Sequence, residues 1–144
     1  MKIVKYSEPL LNYTSMNFEK ISDEILAVGD TMRYVRFIDE KGKLIYDKVK
    51  NDKILLQDQE GLGKFSGELP IMKQMQELFD QSLGKTRFMH IIRDKVHQFV
   101  YYVDSVIIYV TCERNTDPSK IIEIVNKIDS IIKSRNWTAR RSIN

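Results

Sequence analysis

A lysine placed directly after a glycine can hold the phosphates of a nucleotide, and Gly63-Lys64 and Gly84-Lys85 approach that pattern. In Gly63-Lys64-Phe65 no Ser or Thr follows to hold magnesium, and Asp58 stands where the earlier glycine belongs. Gly84-Lys85-Thr86 has the tripeptide, but Phe79 takes the earlier glycine's place. It also leaves a helical pattern and enters a strand pattern, the reverse of the order that aims backbone N–H groups at an anion. Neither segment supports nucleotide hydrolysis. His90 and His97 flank a turn at Asp94-Lys95, which places them on adjacent antiparallel strands. Counting outward pairs Arg93 with Val96, Ile92 with His97 and His90 with Phe99, so the two imidazoles meet only diagonally. A metal would need a third ligand, and no Cys or acid is evidently placed with them. Cys112 lies beside Arg114, and a nearby cation can lower a thiol's pKa, but a nucleophile also needs a positioned base. It reads as a structural thiol. No catalytic residue, metal or cofactor is expected.

Tyr101, Tyr102 and Tyr109, with nearby Arg and Lys, would form a stacking platform for nucleic acid only if their sheet face were open. The charge distribution also argues against that partner. The chain carries +3 in total, and residues 133–144 hold Lys133, Arg135, Arg140 and Arg141 with no acid, which leaves the remainder at −1. The body is nearly neutral, and a basic terminus is most often solvated.

The elements that must position these residues belong to one domain: 144 residues, 42% hydrophobic and 30% charged, are enough for a sizeable core. Six Gly and three Pro exclude a low-complexity chain, and one Cys excludes a disulfide framework. No apolar run reaches the roughly 18 residues of a membrane span, and no signal-peptide core opens the chain, so the cytoplasm is the expected location. Residues 1–16 read as an arm, 17–136 as the domain, and 137–144 as a basic tail.

Asn17 reads as a cap for a helix whose stripe is Phe18, Ile21, Ile25 and Val28, with Gly29 as a left-handed exit. Alternation from Thr31 to Ile38, then Asp39-Glu40-Lys41-Gly42 and Leu44-Ile45-Tyr46, predicts a hairpin turning at Gly42. The segment 48–67 shows no sustained period and reads as a partly helical connection. Leu69, Met72, Met75, Leu78, Phe79 and Leu83 predict a helix over 69–83, with Pro70 in its first turn. Three strands follow at 86–93, 96–102 and 105–112, joined so tightly that they must form an antiparallel meander. Val106 to Val110 is apolar at every position, so helices should cover both faces of the sheet. Asp117-Pro118 starts a last helix, with Ile121, Val125, Ile128 and Ile132 as its stripe.

The fold class is therefore α/β of α+β type: a five-stranded antiparallel sheet with helices on both faces, in the order α-β-β-α-β-β-β-α. Over roughly residues 17–136 this order resembles the Roadblock/LC7 family and, more broadly, the profilin-like folds. The stretches Phe79 to Lys85 and Val110 to Asn115 also resemble uncharacterised archaeal proteins of roadblock-like pattern. The family resemblance implies a homodimer in which the third strands pair edge to edge and the middle helices pack together. It further implies a regulatory or scaffold role, with the dimer a binding platform for a small Ras-like GTPase or another signalling protein. From the residues alone, the strand at 86–93 forms an open edge, and open edges invite pairing. Phe88, His90 and Ile92 on one face of it, with Met72, Met75 and Phe79 on the flanking helix, are the expected dimer interface. Arg87 and Arg93 could instead guard a monomer's edge. Longin domains and PAS sensors share the two-strand, helical, three-strand order. A PAS-like domain would hold a small ligand between the Met72-bearing helix and the sheet.

Overall fold

The structure, a computed structural model, describes residues 11–12, 16–137 and 140–141, with side chains placed for 16–137. Most of the arm at 1–16 and of the tail at 137–144 lies outside the described residues. Two short strands, β1 (Leu11–Asn12) and β7 (Arg140–Arg141), pair antiparallel with each other.

Helix α1 (Phe18–Leu26) starts where its cap predicts: the Asn17 side chain accepts a hydrogen bond from the Lys20 N–H at 3.0 Å. Its exit differs from expectation. The helix closes on Ala27 in right-handed conformation, and only Gly42 and Gly84 among the glycines have positive φ. Gly29 lies beside the last helix, where an added Cβ would meet the Ile124 side chain at 3.4 Å, an ordinary contact. The hairpin of β2 (Met32–Ile38) and β3 (Leu44–Val49) turns at Gly42, with φ of 83°. Within the turn the Asp39 carboxylate accepts from the Lys41 and Lys43 N–H groups, both at 2.9 Å.

Helix α2 (Gln59–Glu77) begins ten residues earlier than expected, with the Asp58 carboxylate capping the Gly61 N–H at 2.7 Å. Pro70 is thus interior. Lacking an N–H, it leaves the Ser66 carbonyl without its helical donor. The β2–β3 turn leans on that carbonyl, because a Cβ on Gly42 would stand 2.7 Å from it. After a break at Leu78 and Phe79, α3 (Asp80–Leu83) is a single turn, and Gly84, at φ 84°, leads out of it.

The meander is as the short connectors require: β4 (Phe88–Ile92), β5 (Val96–Val103) and β6 (Val106–Glu113), with His90 opposite Phe99 and Ile92 opposite His97. Helix α4 (Pro118–Lys133) follows, although the Asp117 carboxylate makes no capping bond. Its buried line is Ile124, Ile128 and Ile132, the last two from the expected stripe, with Ile121 and Val125 half-buried beside them.

The five main strands run β3-β2-β6-β5-β4, so β6 is central and β4 is an edge. On one face α1 and α4 pack on Val35, Phe37, Phe99, Tyr101, Ile108 and Val110. On the other, Leu62 and Leu69 of α2 pack on Tyr34, Ile38, Val100, Ile107 and Tyr109. The two-sided cover expected from the apolar run of β6 is present, and no helix among the described residues is long and apolar enough to cross a membrane. Trp137, at the expected start of the tail, is buried instead: its ring stacks on Phe37 and its Nε1–H donates to the Ile132 carbonyl at 2.7 Å. The packed domain therefore reaches one residue past 136.

Candidate functional site

The segment from Leu69 to Leu83 divides its apolar side chains between core and solvent. Leu69 is buried and Met72 half-buried against the sheet, whereas Met75 is 59%, Leu78 79%, Phe79 52% and Leu83 81% exposed. The division follows from helical geometry. Each step of three residues turns back by roughly 60°, so Leu69, Met72, Met75 and Leu78 spiral about half a circumference round the helix. Ile71, also exposed, joins Met75 and Leu78 on the side away from Leu62 and Leu69.

Beside this helix lies the unpaired edge of β4. Phe88 stacks on Tyr101 and His90 on Phe99, at centroid separations of 5.4 and 4.6 Å, on the face that α1 and α4 cover. Ile92 is 58% exposed. Met72 belongs to the cluster on the opposite face, with Met89. The six residues expected at one interface thus straddle the edge: Phe88, His90 and Ile92 point to one layer, while Met72 and Met75 sit on the helix covering the other and Phe79 in the break just beyond it.

The histidines do meet across their diagonal. His90 Nε2 and His97 Nδ1 are 2.8 Å apart, and His97 Nε2 is 3.0 Å from the Arg114 carbonyl. A carbonyl only accepts, so His97 Nε2 carries the proton and its Nδ1 accepts from His90 Nε2–H. Burial, followed by the neighbouring His97 charge, holds His90 below the ordinary imidazole value. His97 also stands opposite Cys112 in the β5–β6 register, a juxtaposition that counting outward from the turn at Val103 and Val106 would have found. The Cys112 thiol is buried, and burial pushes it up, away from reactivity. Among the described residues no three His, Cys, Asp or Glu side chains gather to hold a metal.

The other residues weighed for chemistry also take structural roles. Gly63 and Lys64 lie inside α2, where no phosphate loop exists. Tyr101 and Tyr109 are buried on opposite faces of the sheet, each under helices. Lys133 pairs with Asp129 at 2.8 Å, and Arg135 grips Glu24 with contacts of 2.7 and 2.8 Å, so two of the four terminal cations are bound to the domain's own acids.

Sequence reasoning missed Arg36, a buried cation in β2. Its Nε donates to Ser66 Oγ at 2.8 Å and its Nη1 to Tyr34 Oη at 3.2 Å, while Asp47 lies 3.4 Å away. The group ties α2 to the sheet. It also missed a cavity of about 510 Å³ on the α2 face, walled by Leu55 and Phe65 and floored by Gln98, Tyr109 and Thr111. Met72 does not line it and packs instead on the cluster that contains Leu69, Val100 and Ile107.

No protein-family profile matches the chain, and no curated protein matches it in sequence. Solved structures do match in shape. A Roadblock/LC7 domain from Streptomyces avermitilis superposes with a TM-score of 0.63 at 10% identity, over 83% of this chain and 94% of that one. The fold is that of the Roadblock/LC7 domains. The gliding protein MglB from Thermus thermophilus superposes on this roadblock fold with a TM-score of 0.63 at 12% identity, covering 92% of this chain and 100% of its own. An MglB described in a tetrameric arrangement gives 0.64 at 12% identity, covering 91% and 98%. At such identities the likeness establishes the roadblock architecture, the expectation drawn from element order.

Proposed function

We propose that this protein is a non-enzymatic regulatory or scaffold protein of the cytoplasm, a homodimer whose surface docks a small Ras-like GTPase or another signalling protein. The observation that carries the reading is the exposed apolar set Ile71, Met75, Leu78, Phe79 and Leu83 beside an open strand edge ending at Ile92. Contiguous apolar surface and free backbone donors and acceptors are each costly to leave in water. A second copy relieves both if the β4 edges pair antiparallel and the α2–α3 segments pack across the seam. The roadblock neighbour described as tetrameric is consistent with a fold that assembles through its own surfaces.

Light scattering over a concentration series should give a mass near twice 17.0 kDa. Ile92→Asp, which places a charge on each side of the seam, should give a folded chain at the single mass. A wild-type monomer, or a dimer unchanged by Ile92→Asp, would remove this interface. The docking step is tested by titrating purified small Ras-like GTPases in GDP and GTP-analogue forms against the wild-type dimer and the Ile92→Asp chain. Binding that depends on the dimer supports the platform; no binding in either nucleotide state withdraws the GTPase as partner.

A further inference from the structure

The cavity under the β3–α2 connection has the construction of a ligand site. Its volume of about 510 Å³ is within the range of small-molecule pockets. Residues 54–57 wall it, and the connection that carries them is fastened at several points. Arg33 donates to the Ile54 carbonyl at 3.0 Å and to Glu113 at 3.1 Å, and Lys53 reaches the same carboxylate at 2.8 Å. The Lys50 N–H donates to the Arg33 carbonyl at 2.8 Å. A wall held in this way is preorganised, so a ligand need not order it.

The floor is polar and connected. Arg93 Nε donates to Gln98 Oε1 at 2.8 Å, Gln98 Nε2 to Tyr109 Oη at 2.8 Å, and Tyr109 Oη to Gln57 Oε1 at 3.2 Å. Thr111, directly opposite Gln98 in the register, is only 6% exposed and lines the cavity. Its hydroxyl makes no hydrogen bond among the described residues and so stays available to a polar atom in the cavity. The rim carries Arg93 and Lys95, with Asp94 between them, and neither cation makes an ion pair among the described residues. Both terminal nitrogens of the Arg93 guanidinium remain available, a fork that suits a planar or tetrahedral anion. Ile54 and Leu56, 76% and 51% exposed, add apolar surface to the wall.

We infer that this cavity binds a small amphipathic anion, its apolar body against Leu55, Phe65 and Tyr109, its anionic group on Arg93 and Lys95, and a polar atom on the Thr111 hydroxyl. The site lies on the α2 face of the sheet and does not depend on the docking role proposed above.

The probe is 8-anilinonaphthalene-1-sulfonate, a flat apolar body with one fixed negative charge, compared with uncharged N-phenyl-1-naphthylamine. Fluorescence titration should saturate at one sulfonate probe per chain. Amide shifts in ¹H–¹⁵N spectra should centre on Gln98, Thr111 and Lys95. The exposed pair Arg93→Gln, Lys95→Gln should weaken the sulfonate by about tenfold and leave the uncharged probe unaffected. A Leu78→Asp chain, which charges the exposed α2–α3 surface and not the cavity lining, should bind as the wild type does, which separates this site from the docking reading. Three results would each overturn the inference: non-saturating binding, an affinity indifferent to the Arg93 and Lys95 changes, or shifts confined to residues 71–83.

Discussion

At the scale of single residues, the coupled imidazoles give the fold a defined pH response. His97 Nε2 donates to the Arg114 carbonyl, which leaves its Nδ1 to accept from His90 Nε2–H. His90 is held below its ordinary 6.5 by burial and then by His97. The folded chain thus binds fewer protons than the unfolded chain just below that value. This contribution to stability is whole above about pH 6.5 and is lost as pH falls through the folded-state pKa. The melting temperature at fixed protein concentration should therefore be level near neutrality and decline below about pH 6.5, and His90→Gln should flatten that limb. A second decline, below the ordinary carboxylate value of 4.5, belongs to Glu113, which its hydrogen bond from Lys53 holds low, with Arg33 adding to it. Parallel curves for wild type and His90→Gln between about pH 6.5 and 5 would remove the imidazole pair as the cause. Strand counting was sufficient to place His90 beside Phe99 and diagonal to His97. It was not sufficient for Arg36, because alternation assigns a face to a residue but does not say which helix atom will meet it there.

Among the elements, glycine roles divide by backbone angle and by what lies nearby. Gly42 combines positive φ with a close approach to the Ser66 carbonyl, so Gly42→Ala should cost about 2 kcal/mol in urea unfolding. Gly63 lies inside α2 with nothing within 4 Å of an added Cβ, and Gly63→Ala should stabilise by about 0.5–1 kcal/mol. Equal midpoints for the two variants would refute the assigned roles. These glycines also explain the principal misreading of the chain. Gly61, Gly63 and Gly67 in the first turns of α2 lower local helix propensity, and the burial there of only Leu62, Ser66 and Leu69 leaves little apolar rhythm to detect. The helix is held by its Asp58 cap and by tertiary partners such as Arg36, which no window of sequence contains. By contrast α1, the hairpin, the meander and α4 were legible because each declares itself locally, through a cap, a turn residue or a tight connector. The cavity was not legible, since its walls come from residues distant in sequence.

For the whole molecule, the surface is where sequence and structure part most. The apolar run of β6 announced a two-sided core, and the core is there. The Leu69 to Leu83 stripe, whose Met72, Met75 and Phe79 were expected at an interface, buries Leu69 and leaves its second half in water beside an open edge. If a second copy covers that surface, thermal stability should rise with protein concentration, as it does when association and folding are linked. Melting curves over a hundredfold concentration range test this, and an unchanged midpoint for the wild type would argue for a stable monomer. The strand order carries a separate consequence, for the sequence of events in folding. The β2–β3 hairpin and the β4–β5–β6 meander each close through short turns, whereas the β2–β6 seam joins residues about 70 to 80 apart. Two local pieces must therefore find one another across the whole of α2, and the entropy of that closure precedes any reward from the seam. In pulse-labelled refolding, the amides of the β4–β5 hairpin should gain protection before those that bond β2 to β6, and simultaneous protection would show that the seam forms within the initial nucleus.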